Sequence, residues 1–137
     1  MSYTDILKAN LEVEEGRRSK PYLDTAGKLS IGIGRNLTDN GLRDDEIDYL
    51  FANDVHDAEL DARALFPSFD SLTDTRKAVL VDMAFNMGRT TLATFAMFRR
   101  QVDLEDYDGA ADDMLRSKWA TQVGPRALKL SALMRKG

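Results

Sequence analysis

The chain opens with apolar residues at helical spacing. Ile6, Leu7, Ala9 and Leu11 predict a helix over 3–15, ended by Gly16. The period then changes. Tyr22 and Leu23 read as extended and Asp24-Thr25-Ala26-Gly27 as a turn. Leu29, Ile31 and Ile33 alternate with Lys28, Ser30, Gly32 and Gly34, so a β-hairpin follows. Residues 36–42 read as loop, with Asn40-Gly41 as a turn, and this loop is too short to promise a third strand. Asp44 is the expected N-cap of a long helix to about Leu65, with Ile47, Leu50, Phe51, Val55 and Ala58 on its apolar stripe. A helix of about 21 residues spans roughly 30 Å, enough to bridge two lobes.

The remainder reads as helical. Thr73 caps a helix carrying Val79, Leu80, Met83, Ala84 and Met87, ended by Gly88. Thr94 is expected to cap a short helix through Phe95 and Phe98. Residues 106–117 form another helix, and Pro125 opens a last one carrying Leu128, Leu130, Leu133 and Met134. The expected architecture is α+β in a single domain: a lobe with a small antiparallel hairpin over 1–42, a connecting helix over 43–65, and a helical lobe over 66–137.

Composition narrows the chemistry. The 137 residues contain no cysteine and one histidine, His56, which excludes thiolate catalysis, Cys-ligated zinc and a multi-histidine metal site, and no cofactor is expected. The first residues lack the basic and apolar regions of an ordinary signal peptide, and no apolar run suits a membrane span. The net charge is −4, concentrated at 41–65, where eight acidic residues face two basic ones. That balance disfavours nucleic-acid binding, and a solvated helix face is its simplest meaning.

Two features could carry chemistry. On the second hairpin strand, alternation puts Ser30, Gly32 and Gly34 on one face, where missing side chains let a ligand approach the backbone or mark a bulge. Glu15 sits at the predicted C-terminal end of the first helix, whose partial negative charge favours a protonated carboxyl, as a general acid needs. Asp24 lies at the hairpin turn after a chain reversal. Paired carboxylates flanking one cleft are what glycoside hydrolysis requires. With 23 acidic residues, however, spacing alone does not select these two.

The segments Glu14-Glu15-Gly16, Lys20-Pro21-Tyr22-Leu23-Asp24-Thr25-Ala26-Gly27 and Ser30-Ile31-Gly32-Ile33-Gly34 resemble the active-site region of phage lysozymes, the endolysins of glycoside hydrolase family 24. Leu50-Phe51-Ala52-Asn53-Asp54-Val55, Ala84-Phe85-Asn86-Met87-Gly88, Ser117-Lys118-Trp119 and Pro125-Arg126-Ala127 extend the resemblance in order along the chain. It implies a lysozyme-like fold and hydrolysis of the β-1,4 bond between N-acetylmuramic acid and N-acetylglucosamine in peptidoglycan. Glu15 would be the acid, and Asp24 with Ser30 would direct water to the far face with inversion. It implies supporting or substrate-binding roles for Tyr22, Gly32, Asn86 and Trp119, and a pairing of Arg126 with the catalytic glutamate. A core role is equally open to Tyr22 and Trp119, and a helix-end role to Asn86. The family context implies a bacteriolytic monomer made in the host cytoplasm, without stable membrane insertion, that reaches the wall after holin-dependent release.

This sequence departs from the family pattern at several points. Arg35 stands where the family has histidine, and an ion pair with Asp54 is the expected replacement. Ser30 replaces threonine, keeping the hydroxyl and losing the β-branch that fixes its rotamer. Two other activities fit the same scaffold: a lytic transglycosylase, which needs one acid/base and no water, and a non-catalytic peptidoglycan-binding module. The Glu15, Asp24 and Ser30 set argues against both. Arg126, Lys129, Arg135 and Lys136 make the last helix basic, which suits wall engagement or a plain solvated face.

Overall fold

The computed structural model describes all 137 residues, in two compact units, Met1–Tyr49 and Leu50–Gly137. The α+β class is as the patterning predicts.

The N-terminal unit begins with α1 (Tyr3–Glu15), started by a capping box. The Ser2 side chain accepts from the Asp5 amide, and the Asp5 carboxylate accepts from the Ser2 amide. Gly16 ends it at φ 75°, a conformation that favours glycine. Three antiparallel strands follow in sequential order, β1 (Arg18–Leu23), β2 (Leu29–Gly32) and β3 (Arg35–Asn36). Tyr22 pairs with Ser30 and Leu23 with Leu29, whereas Arg18 pairs with Gly32, so β1 carries a bulge between residues 18 and 22. Pro21 lies in that irregular stretch, where its missing N–H costs no ladder bond.

The third strand corrects the expectation of a missing one. Gly32 and Gly34, at φ 68° and 73°, turn the chain back so that Ile31 pairs with Arg35 and Ser30 with Asn36. Asn36 then accepts from the Asp39 amide and starts the single-turn helix α2 (Leu37–Asn40), where loop was expected. The long helix α3 (Asp44–Leu65) begins at the residue expected to cap it, since the Ile47 amide already donates to the Arg43 carbonyl. The boundary between the units falls within α3.

The C-terminal unit holds the apolar core. Ala58, Ala62 and Leu65 of α3 are buried, as are Phe66 and Phe69, the latter in a 3₁₀ turn (Phe69–Ser71). Then come α4 (Asp74–Met87), α5 (Arg89–Ala93), α6 (Ala96–Asp103), α7 (Tyr107–Arg116), α8 (Lys118–Val123) and α9 (Pro125–Lys136). Thr73 caps α4 as expected. Thr94 does not cap α6: its hydroxyl donates back to the Thr91 carbonyl and closes α5. Ser117, expected inside a helix, ends α7 and caps α8 by accepting from the Ala120 amide.

In this unit α7 packs against α6 and α9, and α9 against α4. Ala127, Leu130, Ser131 and Met134 recur at helical spacing on the buried side of α9. Ala110 and Ala111 leave room for that approach, and the Ser131 hydroxyl is satisfied by the Ala111 carbonyl at 3.0 Å. Phe66, Phe98, Leu80 and Met83 are almost wholly enclosed, and each contributes roughly 1.5–3 kcal/mol by leaving water.

Candidate active site

Glu15 is the last residue of α1 and is exposed. Its carboxylate makes no hydrogen bond and no ion pair within the protein. It rests against the glycine turn between β2 and β3: a Cβ placed on Gly34 would lie 3.0 Å from the Glu15 Cδ and 3.1 Å from its Oε2. The positive φ favours glycine at 34, and the missing side chain leaves room for this carboxylate.

Asp24 occupies the turn between β1 and β2 and is half-buried. One carboxylate oxygen, Oδ1, accepts from the Ala26 amide at 2.9 Å and from the Lys28 amide at 2.8 Å. Its own amide donates to the Lys28 carbonyl at 2.9 Å. Oδ1 builds the turn, while Oδ2 has no partner in the protein.

Ser30 lies on the central strand between Tyr22 and Asn36 and is the one buried residue of its unit, 4 % exposed. Its hydroxyl has no hydrogen-bond partner in the protein, yet no enclosed side-chain polar atom is left unpaired, so the oxygen still reaches solvent. A rigid strand thereby presents a hydroxyl ready to hold a water. Gly32, two residues on, has nothing within 4 Å of where a side chain would project, so its backbone is open to a ligand.

Arg35 is committed elsewhere than expected. It forms a two-pronged pair with Glu46, Nη1 to Oε1 and Nη2 to Oε2, each 2.7 Å, and also donates to the Gly41 carbonyl. Glu46 of α3 thus takes the role expected of Asp54. The Arg35 hydrogen bonds, helped by the Arg43 amide, lower the Glu46 carboxyl to about 2, and Glu46 in turn raises Arg35. This pair ties the end of the sheet to the start of α3.

Three further candidates belong to the C-terminal unit. Trp119 is 4 % exposed, and its indole N–H donates to the Asn86 Oδ1 at 2.7 Å. That contact gives both residues a structural task. Arg126 donates through Nε and Nη2 to the Asp82 Oδ1, the Nε contact at 2.9 Å. The resemblance had implied a pairing with the catalytic glutamate; here an adjacent helix, α4, supplies the carboxylate. Asp82 and Arg126 edge a cavity of about 600 Å³ whose walls include Phe51, Val55, Val81 and Phe85. None of Glu15, Asp24 and Ser30 lines it.

Tyr22 carries a contact that sequence reading does not single out: the Arg18 guanidinium stands 4.4 Å over its ring. Residues four apart on a regular strand are separated by roughly 13 Å, so the pairing depends on the bulge and on the length of arginine. The only forewarning is the basic run Arg17-Arg18 ahead of Lys20 and Tyr22.

No group of three or more His, Asp or Glu side chains is arranged to hold a metal ion. The available chemistry is that of carboxylates and a hydroxyl. No helix is long and apolar enough to cross a membrane.

Comparison with known proteins gives the family. The phage lysozyme family matches residues 12–136. Two similar proteins of Dictyostelium discoideum, probable T4-type lysozyme 2 and probable T4-type lysozyme 1, are each 24 % identical over 160 residues, covering 96 % of this chain and 94 % of theirs. The pre-baseplate central spike protein Gp5 of Enterobacteria phage T4 is 25 % identical over 165 residues, covering all of this chain but 28 % of that protein. With nearly its whole length matched, this chain belongs to the phage lysozyme family, glycoside hydrolases that act on peptidoglycan.

Proposed function

We infer that the protein cleaves the β-1,4 bond between N-acetylmuramic acid and N-acetylglucosamine, with Glu15 as general acid and Asp24 and Ser30 as the water-directing pair. Glu15 transfers its proton to the glycosidic oxygen as the bond from the anomeric carbon breaks. A water held by the Ser30 hydroxyl and the Asp24 Oδ2 attacks that carbon from the opposite face, and its proton passes to Asp24. The product is a free reducing end of inverted configuration. The observation that carries this reading is the divided state of Asp24. Two backbone amides fix Oδ1 and orient the carboxylate, while Oδ2 and the Ser30 hydroxyl remain unspent. A transglycosylase has no use for a second oriented carboxylate.

Mass spectrometry of fragments from purified peptidoglycan tests the reaction. Hydrolysis predicts saccharides carrying one added water; anhydro-muramic ends would establish the transglycosylase instead. Proton NMR of the fresh anomer tests inversion. In the cell, the reading is an endolysin that lyses its host after holin-dependent release. Expression in a Gram-negative host should clear the culture only when the inner membrane is opened; clearance without opening would contradict that route.

A further inference from the structure

Asn40-Gly41 takes no part in the candidate active site, yet its chemistry is distinctive. The chain has five asparagines, and only Asn40 precedes a glycine. Asn10 and Asn53 lie inside α1 and α3, which hold the following backbone amide in regular helix. Asn36 caps α2 through Oδ1 and donates through Nδ2 to Asp39, and Asn86 accepts from Trp119. Asn40 is exposed, ends α2, and its carboxamide has no partner in the protein. Gly41 takes φ 60°, with nothing within 4 Å of where a side chain would project, so there is room beside it for a ring. The Gly41 amide is held by the Leu37 carbonyl at 3.0 Å, the bond that closes a helix of four residues. A single turn is too short to hold itself together in water, so local fraying releases this amide.

We propose that Asn40-Gly41 is a site of spontaneous modification, deamidating through a succinimide to isoaspartate, and that the product loosens the join between the sheet and α3. The Gly41 nitrogen gives its proton to solvent base and attacks the Asn40 Cγ. The new N–Cγ bond forms as the Cγ–Nδ2 bond breaks, and Nδ2 takes a proton from solvent and leaves as ammonia. Water then opens the ring. Attack on the α-carbonyl is favoured, because the neighbouring backbone nitrogen withdraws electrons from it, and it yields isoaspartate. The main chain then runs through Cβ and Cγ, lengthened by a carbon and flanked by a new carboxylate. Arg35 registers the change, since it donates to the Gly41 carbonyl at 3.2 Å and pairs with Glu46 of α3. The added carbon moves that carbonyl away from Arg35 and opens the Leu37–Gly41 closure.

The test ages the folded protein at mildly alkaline pH. Trypsin then releases residues 36–43 as one peptide, which reports on Asn36 and Asn40 together. The expected result is exchange of NH2 for OH at Asn40, mainly as isoaspartate by fragment-ion mass spectrometry, with Asn36 intact. The melting temperature of wild type should fall as conversion proceeds. Asn40→Gln should hold its melting temperature, because its longer side chain closes a ring far more slowly. In Arg35→Met the fall on ageing should be smaller, since the contact being disturbed is already gone. An Asn40 that keeps its amide in the folded protein, while the free 36–43 peptide loses it, would overturn the proposal. So would full conversion with a melting temperature no lower than that of aged Asn40→Gln. An equal fall in Arg35→Met would overturn the link to the Arg35–Glu46 join.

Discussion

Gly34 is where backbone conformation and the candidate acid meet, which makes Gly34→Ala an informative perturbation. At φ 73° an alanine occupies the left-handed region, at a cost of roughly 1–2 kcal/mol. Its Cβ would fall 3.0 Å from the Glu15 Cδ, against a comfortable carbon–carbon separation of about 3.5–4.0 Å. The carboxylate is the end of a flexible, exposed side chain, so it yields by about 0.5–1 Å and the clash itself adds little to the folding cost. Misplacing a reacting group by about 1 Å costs on the order of a hundredfold in rate, so kcat should fall by about ten- to a hundredfold. Gly41→Ala is the control: the same unit, φ 60°, and nothing within 4 Å of the new methyl. Urea unfolding and reducing-end release from soluble peptidoglycan fragments, both at full folding, separate the two effects. The variants should lose similar stability, and only Gly34→Ala should lose kcat. Unchanged kcat in Gly34→Ala, or an equal loss in Gly41→Ala, would refute the placement of Glu15 at the reacting centre.

Ser30→Ala removes a hydroxyl with no protein partner, so stability should hold within about 0.5 kcal/mol while kcat falls at least tenfold; a matching loss in urea unfolding would make the role structural. Asn86→Ala strands the indole N–H of Trp119, and urea unfolding followed by the fluorescence of this single tryptophan should show a loss of about 1–3 kcal/mol. The Arg35–Glu46 pair predicts a pH signature. Because the Glu46 carboxyl is held at about 2 rather than its ordinary 4.5, its stabilisation is complete above 4.5 and drains away as pH falls towards 2. Thermal melts across that window should show Glu46→Gln less stable than wild type near neutrality, with the gap closing as pH drops; a constant gap would contradict the assignment.

The hydrophobic pattern predicts the ends of α1 and most of α3, α4 and α9, since these carry long stripes and strong punctuation at Gly16, Thr73, Gly88 and Pro125. The short elements escape it. Two residues of β3 have no period, and its presence depends on positive φ at Gly32 and Gly34. Thr94 and Ser117 look alike as helix caps, and only the tertiary course of the chain makes one close α5 and the other start α8. The candidate site shows the same division. The resemblance to the phage lysozyme segments marks Glu15, Asp24 and Ser30, but long arginines choose among several carboxylates in space. Arg35 therefore meets Glu46 rather than Asp54, and Arg126 meets Asp82. Arg18 is invisible to the pattern because a bulge makes its contact with Tyr22.

The central claim is that Glu15 donates the proton that breaks the glycan bond. Its most direct test is the rate of reducing-end release from purified peptidoglycan by wild type and by Glu15→Gln, with equal folding verified by urea unfolding. Glutamine keeps the size and the contact with Gly34 but carries no transferable carboxyl proton, so the rate should fall by about a hundredfold or more. A Glu15→Gln protein that cleaves peptidoglycan at the wild-type rate would contradict the account.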